Sequence, residues 1–239
     1  MTDKLVLIVD DENEVAELVE KYLKRDGYRV VKAASGAEAI QKVEQHRPDL
    51  VLLDMAMPGM DGLEVMRQLR NQARYQAPIL LMSCNGDDSA VIRGLSSGAD
   101  DYITKPFSPE QLVARVKAHL RRSDILGRIK EAPETMTLGR LKIDFLHRTV
   151  WVDGSPVPLS TKEYDILYHM IRMRGRALSL EELYRLTWGF DSNGDTRTLL
   201  VHISNIRKKL EPDPDNPRFI VTVRGFGYKI SGFDIQASG

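Results

Sequence analysis

The amino-acid sequence predicts a doubly wound α/β domain built on a five-stranded parallel sheet, followed by a smaller α+β domain of short strands, three helices and a terminal hairpin. Three observations carry this reading. Apolar runs of strand length alternate five times with helical periodicity before residue 123, the rhythm of a parallel sheet covered on both faces. Each of several runs ends in a polar residue that the sheet topology brings to one edge. Beyond residue 135 the rhythm changes to short alternating segments, then capped helices, then two strands around Arg224-Gly225.

The elements follow in order. Leu5-Val6-Leu7-Ile8-Val9 is a buried-strand run ending in Asp10-Asp11. Val15, Leu18, Val19, Tyr22 and Leu23 recur at helical spacing, and Gly27 stops that helix. Asp11 and Glu14 fit an Asp-x-x-Glu capping box. Tyr28–Val31 reads as the second strand, and residues 36–46 as a helix ending before Pro48. Leu50–Asp54 is the third strand. Its acid is followed at once by Met55-Ala56-Met57-Pro58-Gly59, so Asp54 sits at the carboxyl edge, where open α/β sheets place their chemistry. Leu63–Leu69 lies on the next helix, Pro78–Ser83 forms the fourth strand, and residues 88–97 a short helix. Tyr102–Lys105 ends the fifth strand before Pro106, and Leu112, Val113, Val116 and Leu120 mark the last helix.

Asp10 and Asp11, Asp54, Ser83 and Lys105 thus end four strands at the same edge. Three carboxylates in one crevice repel unless a cation sits among them. Oxygen donors without His or Cys favour a hard ion, Mg²⁺.

Charge is balanced overall, with 34 basic and 34 acidic residues. Residues 1–123 carry 17 basic and 19 acidic side chains, and the remainder 17 and 15, so the halves differ only as −2 and +2. Bulk charge therefore does not argue for nucleic acid, and local clustering must. The single cysteine, Cys84, excludes an intrachain disulfide, and small-residue packing is its expected role. No apolar run is long enough for a membrane span, so a cytoplasmic protein is expected.

Ser123 to Thr135 is polar, with Gly127 and Pro133, and reads as a linker. Leu141–Phe145, Thr149–Val152 and Val157–Leu159 are short strands, with a turn signal at Asp153-Gly154. Ser160-Thr161-Lys162-Glu163 is a capping box opening a helix with Tyr164, Leu167 and Ile171 inside. Ser179-Leu180-Glu181-Glu182 repeats the signal, and that helix ends near Trp188-Gly189. A third helix begins about Asp195-Thr196, with Leu199, Ile203, Ile206 and Leu210 as its core face. Its other face is expected to show Arg197, His202, Ser204, Asn205, Arg207, Lys208 and Lys209. Three helices and a hairpin are the winged helix-turn-helix arrangement, in which such a face fits a major groove and Arg224 the adjacent minor groove.

Val9-Asp10-Asp11, Leu53-Asp54 with Met57-Pro58-Gly59-Met60-Asp61-Gly62, and Gly98-Ala99-Asp100-Asp101-Tyr102-Ile103-Thr104-Lys105-Pro106-Phe107 resemble the flavodoxin-like receiver domain of two-component response regulators. Leu159–Tyr164, Asp195–Thr198, Val201-His202-Ile203, Ile206–Leu210 and Val223–Tyr228 resemble the OmpR/PhoB-type effector domain. The resemblance implies a receiver over residues 1–122, a linker over 123–135 and a DNA-binding effector over 136–239. It implies Asp54 as phosphoacceptor from a sensor histidine kinase, with Ser83 and Lys105 on the phosphoryl oxygens and Tyr102 as an inward-turning switch. It implies Mg²⁺ on Asp11, Asp54 and the Ala56 carbonyl, with Asp10 supporting through water. Arg197, His202, Arg207, Arg224 and Tyr228 match positions that often meet DNA in the family, and Ser204, Asn205 and Lys208 lie on the same helix.

The whole is then a phosphorylation-dependent regulator that pairs through residues 88–122 and binds promoter DNA, with RNA polymerase a further partner to consider and no membrane. Val91 and Ser96 stand where relatives often carry dimer-locking charges. Asp100, Asp101, Glu110, Arg115, Arg121 and Arg122 are the charges expected to remain for pairing across a dimer. Leu200, Ser204 and Asn205 depart from common family residues and suggest an A·T-leaning site. Two alternatives stay open: a phosphorylation-independent DNA binder with a vestigial receiver, and a receiver acting as a phosphate sink.

Overall fold

The structure is a computed structural model, and it describes residues 3–71, 75–84, 88–126, 135–189 and 196–232. Residues 127–134, most of the expected linker, lie outside the described residues, as do Asp195 and the side chains of Arg121 and Arg122. The chain divides into two compact units, residues 1–125 and 126–239.

In the first unit strands and helices alternate as β1 (Leu5–Val9), α1 (Asn13–Arg25), β2 (Arg29–Ala33), α2 (Gly36–His46) and β3 (Leu50–Asp54). They continue as α3 (Gly62–Asn71), β4 (Ile79–Cys84), α4 (Asp88–Ser96), β5 (Asp101–Lys105) and α5 (Pro109–Leu126). The sheet order is β2-β1-β3-β4-β5 and every pairing is parallel. Strands covered on both faces read as unbroken apolar runs, and β1 and β3 are buried at every residue. Val6, Ile8, Leu50, Leu52, Leu80 and Met82 pack on Val19 and Leu23 of α1 and on Leu112, Val113 and Val116 of α5. The alternate residues Leu7, Leu53 and Leu81 point to the opposite face and are also buried. α2, α3 and α4 complete that side.

Three details depart from the sequence reading. α1 is capped at Glu12 without a side-chain bond, so the Asp11/Glu14 capping box does not form. α5 runs to Leu126, so residues 123–126 belong to the helix and not to a linker; no Gly or Pro interrupts the chain before Gly127. Cys84 is exposed at the end of β4, so it does not serve as a small packed residue.

The second unit opens with a four-stranded antiparallel sheet, β6 (Thr135–Leu138), β7 (Leu141–Asp144), β8 (Thr149–Val152) and β9 (Ser155–Val157). Asp153 and Gly154 turn between β8 and β9 with φ of 51° and 79°, the left-handed pair that a tight hairpin demands. Helices α6 (Thr161–Arg172), α7 (Leu180–Trp188) and α8 (Thr196–Leu210) follow. Ser160 and Glu163 form the reciprocal capping box on α6, and Ser179 caps α7 through the Glu182 N–H. β11 (Ile220–Val223) and β12 (Gly227–Ile230) form the last hairpin, joined by the two-residue strand β10 (Leu178–Ser179) in the order β10-β12-β11. Leu167, Ile171, Leu183, Trp188, Leu199, Ile203, Ile206 and Ile220 make one core.

Candidate functional site

The parallel sheet sets the ends of β1, β3, β4 and β5 side by side. Val9 pairs with Leu53, Asp54 with Met82, and Cys84 with Lys105. The residues at these ends therefore converge without help from any long loop. Lys105 Nζ lies 2.7 Å from Asp54 Oδ2 and 2.9 Å from Asp10 Oδ2. Asp10 and Asp54 are both buried. The Ala56 N–H donates to Asp54 Oδ1 at 3.2 Å, and the Glu12 N–H to Asp10 Oδ1 at 2.9 Å, so both carboxylates are oriented as well as paired. Burial pushes the Asp10 carboxyl upward, against the pull of Lys105. Burial pulls the Lys105 ammonium down, but the bonds to Asp54 and Asp10 outweigh it and hold the group charged.

Gly62 opens α3 directly beneath this edge. A Cβ there would sit 2.3 Å from the Asp54 carbonyl oxygen, so α3 approaches the acid only because residue 62 has no side chain. Ser83 is buried, and its Oγ has no hydrogen-bond partner among the described residues. A buried hydroxyl without a partner is costly, and here it sits one residue past Met82, the partner of Asp54 in the sheet. Tyr102 is buried on β5, opposite Leu81.

A third acid joins the two buried carboxylates at this edge. Asp10, Glu12 and Asp54 each offer a carboxylate oxygen within 4.8 Å of the others. Asp11 is exposed and stands outside that group. The bend at Asp11, closed by the Glu12 N–H on the Asp10 carboxylate, makes Glu12 the helix cap, with its carboxylate 3.6 Å from Lys105 Nζ. Nothing in the sequence distinguishes Glu12 from Asp11 except its place at the first turn of α1. The donor set is all oxygen and carries more negative charge than Lys105 neutralises, which fits a hard divalent cation.

Asp100 and Asp101 are not free for pairing across a dimer. Asp100 is buried, accepting from Arg70 Nη2 at 2.7 Å and the Ile79 N–H at 2.9 Å. Asp101 is buried and accepts from Arg115 Nη1 at 2.8 Å, with His119 Nε2 at 3.3 Å. Burial would raise the Asp101 carboxyl, yet Arg115 and His119 hold it down at about 2. These acids close the first unit upon itself.

In the second unit α8 lies on both α6 and α7, so its buried arc is wider than a single apolar stripe. His202 (0 % exposed) and Asn205 (6 % exposed) fall inside that arc, with the His202 ring 5.8 Å from the Trp188 ring. Their expected place on the outer face is thereby corrected. Arg197, Ser204 and Lys208 are exposed, together with Leu200 at 41 %. Arg207 is turned toward the hairpin: its guanidinium donates to the Ile220 carbonyl and to Thr222 Oγ1, and its Cζ lies 5.2 Å from the centre of the Tyr228 ring. Arg224 is exposed at the hairpin tip beside Phe226, which is 52 % exposed and was not anticipated.

Two family models match the chain. The response regulator receiver domain covers residues 6–117, and the C-terminal domain of transcriptional regulatory proteins covers 154–230. The chain is an OmpR/PhoB-type response regulator. The response regulator is 41 % identical to the alkaline phosphatase synthesis transcriptional regulatory protein PhoP of Bacillus subtilis, over 95 % of this chain and 97 % of that protein. It is 39 % identical to the DNA-binding response regulator MtrA of Mycolicibacterium smegmatis, over 94 % and 95 % of the two chains. Among solved structures, the OmpR/PhoB homologue DrrB of Thermotoga maritima matches with a TM-score of 0.51 at 32 % identity, covering 97 % of this chain and all of that one. A RitR mutant matches with a TM-score of 0.79 at 27 % identity, covering 95 % and 99 %. The flavodoxin-like five-stranded receiver and the DNA-binding domain expected from the sequence are both present, and the response regulator is a phosphorylation-dependent transcriptional regulator. No helix among the described residues is long and apolar enough to cross a membrane.

Proposed function

We propose that Asp54 accepts a phosphoryl group from a phosphohistidine of a sensor histidine kinase, and that this event governs pairing of two copies on promoter DNA. The observation that carries the reading is the Asp54 carboxylate held 2.7 Å from Lys105 Nζ, which also reaches Asp10, with Ser83, whose hydroxyl has no partner among the described residues, at the end of the neighbouring strand. An Asp54 oxygen attacks phosphorus, a P–O bond forms, the P–N bond to the donor imidazole breaks, and that nitrogen takes up a proton. Phosphoryl transfer asks mainly for positioning and charge neutralisation. The Ala56 N–H fixes one oxygen of Asp54, and Lys105 stands ready for the transferred oxygens. The Ser83 hydroxyl donates to one of them and draws the end of β4 toward the phosphoryl group. Tyr102 is the aromatic switch on the neighbouring strand.

Mg²⁺ fits this all-oxygen pocket: Asp54, Asp10 and Glu12 would hold it, together with Asp11 and the Ala56 carbonyl that the family resemblance names. When bound, it neutralises charge on the phosphoryl oxygens. The working place is the cytoplasm, and RNA polymerase is the partner that transcription control requires once DNA is bound. Residues 88–122 form the pairing face, with Glu110 as an exposed charge. On DNA, Arg197, Leu200, Ser204 and Lys208 meet the major groove, and Arg224 the minor groove. The domain limits read from the sequence, 1–122 and 136–239, are carried forward as a proposal, with α5 running on to Leu126 and β6 beginning at Thr135, both inside the expected linker.

Exposure to acetyl phosphate and Mg²⁺ followed by intact mass measurement tests this directly. The native chain gains one phosphoryl group and Asp54→Asn gains none. Equal uptake by both chains would reject Asp54 as the acceptor.

A further inference from the structure

Arg207 and Glu211 stand one helical turn apart, at the end of α8 and just beyond it. Arg207 Nε and Nη2 lie 3.0 and 2.7 Å from the Ile220 carbonyl oxygen, and Nη2 lies 2.8 Å from Thr222 Oγ1. Glu211 is buried, and its carboxylate accepts the backbone N–H groups of Arg218, Phe219 and Ile220, each at 2.8 Å. The peptide groups on either side of one residue are thus held by the two charges: the Ile220 N–H by Glu211 and the Ile220 C=O by Arg207. Ile220 is the first residue of β11, opposite Ile230 of β12, and Thr222 is opposite Tyr228, whose ring the Arg207 guanidinium faces. Charge-assisted and forked bonds fix geometry as well as adding energy. A buried acid here has no use toward a polyanion, and its three donors all belong to one stretch of backbone entering β11.

We infer that Arg207 and Glu211 are positioning residues that set the hairpin β11–β12 against α8, so that Arg224 reaches DNA in register with the residues exposed on α8. The inference rests on the reading of α8 and the hairpin as the DNA-contacting elements. Arg207 then acts through Ile220 and Tyr228 and not by reading a base.

The test is a set of double-mutant cycles in the full phosphorylated chain, read by fluorescence anisotropy on a duplex recovered by selection from random sequence. Arg224→Ala and Lys208→Ala are each measured in the native chain and in the Glu211→Gln and Arg207→Lys backgrounds. Arg224→Ala is expected to weaken binding about tenfold in the native chain and less than about twofold in either background, because coupled residues are non-additive. The Lys208→Ala penalty stays the same throughout. Glu211→Gln alone binds more weakly, although loss of a negative charge near DNA would by itself tighten binding. An undiminished Arg224→Ala penalty in both backgrounds overturns the positioning role and leaves the wing as a DNA contact. Loss of the Lys208→Ala penalty as well also overturns it, because general disorder then explains the result. A neutral Arg224→Ala in the native chain removes the wing contact itself, and this inference with it.

Discussion

Lys105 Nζ sits 2.7 Å from Asp54 Oδ2, and the same ammonium reaches Asp10 at 2.9 Å, so one cation ties the ends of β5, β3 and β1. Removing it leaves two buried carboxylates facing each other. Lys105→Ala is expected to lower stability by about 2 kcal/mol in chelator, less than a fully buried pair would cost because the lysine is partly exposed. Added Mg²⁺ should restore part of that loss. Thermal unfolding with and without the ion checks both statements, and an unchanged Tm in chelator contradicts them.

Ser83→Ala separates two consequences of one hydroxyl. Its Oγ has no partner among the described residues, so the substitution should leave stability unchanged or raise it slightly. Phosphoryl uptake at Asp54 should persist, while the gain in DNA affinity on phosphorylation should shrink several-fold, as local switches act by biasing a two-state element. Calorimetry and DNA titrations of both forms provide the readout. A full affinity gain in the variant would deny Ser83 its part.

Asp101 makes stability depend on pH in a defined direction. Its folded pKa of about 2 lies below its ordinary 3.8, so it stabilises the fold above the ordinary value. That contribution is lost as pH falls from about 4 toward 2, and it amounts to about 2 kcal/mol at neutral pH. Asp101→Asn should lower the neutral-pH Tm and flatten the acid limb of the profile. A parallel downward shift at every pH would show that the carboxylate charge is not the cause.

Gly62→Ala tests the close approach of α3 to the acceptor. The new Cβ would meet the Asp54 carbonyl oxygen at 2.3 Å and the Met55 Cα at 2.8 Å. Backbone must move, at a cost of about 2 kcal/mol typical of overpacking. Phosphorylation should slow, since Asp54 moves relative to Lys105. Wild-type rates from acetyl phosphate, together with a native Tm, would show that the space is available.

The selected DNA sequence should depend on Leu200 and not on Asn205. Leu200→Ala is expected to reduce preference at one thymine by about threefold, through lost contact with its methyl group. Asn205→Ala should leave the consensus unchanged, because the side chain is buried. Selection from random duplexes with each variant decides the matter.

The acid pocket was legible because a parallel sheet converts strand order into proximity. Asp10, Asp54, Ser83 and Lys105 each end an apolar run, and those ends are neighbours in β1-β3-β4-β5. The nearness of Glu12 to Lys105 was not legible, because the phase of the first turn of α1 decides which acid faces the lysine. His202 and Asn205 were misplaced for a related reason. Periodicity located the face of α8 toward α6, but the second covering helix, α7, is a tertiary fact that hides a neighbouring strip. β10 escaped notice since two residues carry little pattern of their own, and β6 because it begins at Thr135, within the polar stretch read as a linker.

Arg115 finds its acid at home. If a second copy of the chain offered its own Asp101 in exchange, one buried ion pair would be broken for each one made, and the trade would be close to neutral. Any attraction between copies would then have to come from side chains that surrender nothing by pairing. The internal pair acts as a latch within one chain and not as glue between two.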